Sequence, residues 1–74
     1  MPVIDVKATG LNIKTKLKEK GITITKLQNA LGFRNPQAIY KWLRGENLPT
    51  IDNLILIAFI LNITMDELVI IHMI

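Results

Sequence analysis

Four polar side chains, Gln37, Tyr40, Lys41 and Arg44, follow one another at i, i+3, i+4 and i+7, the spacing that aligns residues on one face of a helix. Their chemistry suits the edge of a base pair in a major groove. A glutamine amide can pair with N6 and N7 of adenine, a lysine ammonium can donate to O6 and N7 of guanine, and a tyrosine can touch a thymine methyl or a phosphate. Arg44, near the end of the run, is better placed for the phosphate backbone. Ile39, Trp42 and Leu43 fall on another face, so one side packs while the other is free to read. Trp42 shares that apolar face and no second aromatic follows at the same spacing, which assigns it to the core and not to a stacking platform.

The elements that must position this face are legible in the stretch from Gly21 to Gly45. A helix can start after Thr23, whose hydroxyl can take an unpaired backbone N–H of the first turn, and run to Leu31. Gly32 ends it in the left-handed conformation that closes helices. Asn35 as N-cap and Pro36 at the first helical position start a second helix over about Pro36 to Arg44, and Gly45 closes that one. Two short helices joined by a glycine turn, the second carrying polar side chains outward, are the sequence form of a helix-turn-helix.

From about Leu11 to Leu68 the chain resembles the XRE family, the helix-turn-helix proteins that include phage repressors and Cro. The residues that carry the resemblance are Gly21, Thr23, Leu27, Leu31 and Gly32, then Ile39, Lys41, Trp42, Arg44 and Gly45. Pro49, Leu54, Ala58, Leu61 and the segment from Thr64 to Leu68 extend it. The resemblance implies base reading by Pro36, Gln37, Tyr40 and Lys41, and phosphate contacts near Thr23, Asn35 and Arg44. Three positions depart from the family pattern. Ile24 stands where a phosphate-binding glutamine is common, which leaves that contact either missing or supplied by Thr25 or Lys26. Gln28 replaces a small residue where the two helices approach, and the turn from Gly32 to Asn35 is one residue longer than usual.

Charge is distributed unevenly along the chain. All nine Lys and Arg lie between Lys7 and Arg44, where Glu19 is the only acid, whereas Gly45 to Ile74 holds four acids and no Lys or Arg. A basic half that includes the reading helix supplies sequence-independent attraction to phosphate, worth about 0.9 counterions released per phosphate neutralised on duplex DNA. Within it, Lys14, Lys16, Lys18 and Lys20 alternate and so spread around a helix, the pattern of a solvated face. Lys16, where the family commonly has an apolar residue, would lie along the core edge with its ammonium in water.

Seventy-four residues, half of them hydrophobic, suffice for one domain from end to end with a modest core. The fold expected is all-α, with five helices and a small two-stranded sheet from the terminal segments. The first helix covers about Leu11 to Lys20, with Ile13 and Leu17 as its apolar pair. The fourth runs from Ile51 to Leu61, with Thr50 as N-cap, Asp52 near the positive end of the dipole and Asn62 as a left-handed stop. The fifth opens on a capping box of Thr64 and Glu67, flanked by the staple pair Ile63 and Leu68. Val3 to Val6 and Val69 to Met73 are rich in β-branched residues and are expected to pair, within one chain or by exchange between two.

The fourth helix is apolar nearly all round: Leu54, Ile57, Ala58 and Leu61 serve the core, yet Leu56, Phe59 and Ile60 are apolar too. Either these three form a symmetric dimer interface that sets two reading helices about one DNA turn, ~34 Å, apart, or the terminal strands cover them within the monomer. No cysteine is present, and the single His72 has no evident role and cannot build a metal site. There is no nucleophile beside a base, no phosphate-cradling glycine loop and no carboxylate cluster, so an enzyme is not expected and no cofactor is implied. The amino end lacks a signal-peptide pattern and the apolar run Leu54 to Leu61 is too short to span a bilayer, which fits a cytoplasmic location. The expected partner is double-stranded DNA, bound at an inverted-repeat operator by a homodimer acting as a repressor. The alternative is a protein-interaction module, such as an antitoxin, that uses the fourth helix to bind another protein.

Overall fold

The computed structural model describes residues 1–74. Its elements are β1 (Pro2–Ile4), α1 (Val6–Glu19), α2 (Ile24–Leu31), α3 (Gln37–Leu43), α4 (Ile51–Leu61), α5 (Met65–Leu68) and β2 (Ile71–Met73). The five helices enclose a core of Ile13, Leu17, Leu27, Ile39, Trp42, Leu54, Ile57, Ala58, Leu61 and Leu68. The sequence assigned nine of these to packing faces, and Leu27 comes from α2, whose remaining positions are more exposed.

Helix ends follow local chemistry. Gly21, Gly32, Gly45 and Asn62 all have positive φ, from 57° to 76°. At each, the N–H of the following residue reaches back to a carbonyl five residues earlier, as Ile22 does to Leu17 at 2.9 Å and Phe33 to Gln28 at 3.0 Å. This closure satisfies carbonyls that the helix itself leaves unpaired. At the start of α5, Thr64 Oγ1 accepts from the Glu67 N–H at 3.2 Å and the Glu67 carboxylate accepts from the Thr64 N–H at 3.3 Å, the expected reciprocal box.

Two expected caps differ. Thr50 holds the N-cap position of α4, but its hydroxyl donates to the Asp52 carboxylate and makes no bond to the helix backbone. Asn35 lies one residue before the N-cap position, which Pro36 occupies, and its side-chain oxygen accepts from the Gln37 N–H at 3.1 Å. Because Pro36 has no capping side chain, Asn35 takes over one orphan donor from outside the helix.

The largest difference lies at the amino end. Helix α1 starts at Val6, five residues before the expected Leu11, and the strand is confined to Pro2–Ile4. Asp5 is the reason: its carboxylate accepts from the Ala8 N–H at 2.8 Å and caps α1. The helix then continues through Gly10, a residue that locally favours a break. A Cβ at Gly10 would stand 2.0 Å from the Trp42 carbonyl oxygen, and one at Gly45 would stand 2.8 Å from Lys7 Cα. These two glycines let α1 cross the end of α3 at backbone contact.

β1 and β2 pair antiparallel within the chain, Val3 opposite His72. Thr9, fully buried, ties the sheet to α1: its hydroxyl accepts from the Ile70 N–H at 2.9 Å. His72 is not incidental, since its Nδ1 meets the Asp5 carboxylate at 2.9 Å. The Ala8 amide, and secondarily His72, hold the Asp5 carboxyl below its ordinary value of 3.8. A depressed pKa stabilises the folded state above that ordinary value, and the contribution fades as pH falls through the lower folded value. Asp5→Asn, which keeps a capping oxygen but no charge, is expected to lower neutral-pH stability modestly while reducing its fall below about pH 4. Denaturant titrations across that range check it, and an unaltered acid limb would rule Asp5 out as a contributor.

Candidate nucleic-acid interface

Helix α3 is fixed from behind by Ile39 and Trp42, with Ile39 fully buried and Trp42 packing edge-on against Phe33 at a ring separation of 5.7 Å. This anchoring leaves Gln37, Tyr40, Lys41 and Arg44 exposed together on the opposite side. Pro36, at the head of the helix, is half-buried. Tyr40 is 43% exposed and borders, with Leu43, a concavity beside the helix.

The turn from Gly32 to Asn35 and Gln28 are a single feature. Gln28 is half-buried, and its side-chain amide donates to the Phe33 carbonyl at 3.3 Å while its own carbonyl accepts from the Phe33 N–H. The turn after α2 is therefore held by the Gln28 side chain. Phe33 is thereby placed against Trp42.

Thr23 caps α2 by accepting from the Lys26 N–H at 3.1 Å, which leaves its hydroxyl proton free to donate outward. Thr25 and Lys26 are exposed on the same first turn, and Asn35 is exposed in the turn before α3. Thr23, Tyr40 and Arg44 border one concavity between α1, α2 and α3. Asn35 lies apart from them, in a shallow depression with Arg34 and Ala38. The Arg44 guanidinium pairs with Glu46, two residues further on, a partner that sequence reasoning did not assign to it.

Lys14 and Lys18 border the concavity as well. Their spacing of four puts them on one side of α1, a signal that the full alternation of lysines conceals. Lys16 points elsewhere: it is half-buried at the core edge, with its ammonium 3.5 Å from Glu19.

On α4, the residues read as a second interface separate. Phe59 is 82% exposed and Leu56 is exposed, whereas Ile60 is half-buried against the core. The terminal strands do not cover Phe59 and Leu56, which removes the intramolecular alternative. Ile51 and Ile55, spaced four apart in line with Phe59, are exposed too, and Ile51 shares an apolar groove with Ile4 and Ile71 of the sheet. No helix is long and apolar enough to cross a membrane.

Comparison with solved structures finds the same fold in the restriction-modification controller protein C.AhdI from Aeromonas hydrophila. That match has a TM-score of 0.77 at 22% sequence identity, covering 86% of this chain and 96% of that one. No curated protein matches the chain in sequence. The sequence profile described as Helix-turn-helix matches residues 13–68, a span that contains α2, the turn and α3. With that match added to the geometry of α2 and α3, the chain belongs to the XRE-type helix-turn-helix family of DNA-binding transcriptional regulators.

Proposed function

We propose that this protein recognises a specific duplex DNA sequence as a homodimer and represses transcription by occupying its operator. The observation that carries this reading is the exposed set on α3. Gln37 and Lys41 stand on the outer side of a helix whose inner side is locked into the core, so both can enter a major groove without disturbing the fold. Gln37 and Lys41 read bases; Tyr40 contributes its hydroxyl and ring edge, and Pro36 offers an apolar contact. Thr23, Thr25, Lys26, Asn35 and Arg44 meet phosphates on either side. The exposed apolar face of α4, with Leu56 and Phe59 at its centre and Ile60 at its inner edge, joins two copies.

Selection from a random pool of duplex DNA at near-physiological salt tests the proposal. Specific sites should be retained at least ~10³-fold over non-specific DNA, and the enriched sequence should be an inverted repeat. Absence of enrichment would refute sequence-specific recognition. On the selected site, Gln37→Ala or Lys41→Ala is expected to cost about 1 to 3 kcal/mol and to relax discrimination at one position per half-site. Binding titrations against single-base variants check this, and an equal loss on every sequence would reassign the residue to phosphate contact.

A further inference from the structure

The concavity beside α3 has a volume of about 380 Å³, within the range of small-molecule sites. Leu17, Ile22, Ile24 and Leu43 supply an apolar lining together with the Tyr40 ring. Between them lies the Thr23 hydroxyl, which accepts from the Lys26 N–H. Ile24, half-buried on the first turn of α2, is central to this apolar character.

The rim has the opposite chemistry. Lys14, Lys18 and Arg44 surround the opening and no carboxylate borders it. Arg44 is engaged with Glu46, whereas neither lysine has an ion-pair partner, so the positive charge that Lys14 and Lys18 bring to this apolar hollow is not paired with a carboxylate. A hydrocarbon body fits the lining, and one negative charge at its end fits the rim.

We propose that this concavity binds a small amphipathic anion, a medium-chain carboxylate in chemical class, and that its occupation weakens DNA binding. The second half rests on the DNA-binding reading above. Tyr40 and Arg44 belong both to the concavity and to the DNA-facing set, so a bound carboxylate places an extra negative charge beside the path of the phosphates and restrains two side chains that would meet them.

Decanoate, kept below its micelle concentration, is the probe, and backbone amide shifts of the whole chain are the readout. Saturable shifts at Ile24, Tyr40, Leu43 and Lys18 are expected. Decanol should bind more weakly, and Lys14→Gln with Lys18→Gln should reduce decanoate affinity about fivefold while leaving decanol unchanged. Ile24→Gln should weaken both ligands, and fluorescence-detected DNA binding should weaken with decanoate in the unmodified protein but not in that variant. Shifts confined to Phe59, Ile55 and Ile51, or equal binding of decanol and decanoate, would overturn the site as assigned. So would shifts at these amides with duplex DNA and none with decanoate, which would make the concavity a phosphate seat only. DNA titration without decanoate separates this failure from failure of the DNA-binding reading itself.

Discussion

Gly10→Ala is expected to lower stability by about 2 kcal/mol or more, although the same change inside an ordinary helix raises it by about 1 kcal/mol. The reversal of sign comes from one contact: the added methyl would stand 2.0 Å from the Trp42 carbonyl oxygen and 3.1 Å from its carbon. Neither is the end of a flexible side chain, so α1 and α3 must separate. Trp42 and Ile39 stand on the moved helix, and their packing would loosen with it. Urea titration should show a lower midpoint at unchanged slope. DNA affinity should fall as well, since α3 would sit differently against α2. A variant more stable than the parent would show that the crossing of the two helices is not as tight as the geometry requires.

Phe59→Lys is expected to weaken binding to a full inverted repeat by about 10²- to 10⁴-fold while leaving binding to a half-site nearly unchanged. The side chain is 82% exposed and no core residue relies on it, so the loss comes from coupling between two reading helices and not from unfolding. Sedimentation of the parent as a dimer and of the variant as a monomer checks the cause. A parent that sediments as a monomer at tens of micromolar would sink the homodimer. The exposed face of α4 would then belong to a different protein, as in an antitoxin-like module.

The difference between what could and could not be read in advance follows how local each cause is. Thr23, Gly32, Gly45, Asn62 and the Thr64–Glu67 pair act within a few residues of themselves, and the helices they bound lie where the sequence put them. Asp5 starts α1 five residues before the expected point, and the helix can run on through Gly10 because Gly10 acts through Trp42, far along the chain, although in a local window it resembles a break. Gln28 and the long turn stood out as two departures, but that one bonds the other depends on a side-chain rotamer. The exposed polar side of α3 was legible because a packing face and a polar face alternate at helical period. The concavity was not, because Lys14, Ile24 and Leu43 meet only after three helices have packed. Exposure of Leu56 and Phe59 likewise depended on where the terminal strands settled.

The clasp between the chain ends has a consequence for the order in which the molecule assembles. Asp5 and His72 are 67 positions apart, whereas every helix closes on carbonyls a few residues away. Long-range closure gives no return until the intervening helices have shortened the distance, so the two strands join last in folding and part first in native-state opening. Asp5 also caps α1, and Thr9 binds the Ile70 amide. Each opening therefore loosens the first turns of α1 while α2, α3 and α4 stay folded, and slow hydrogen exchange should begin only beyond Thr9.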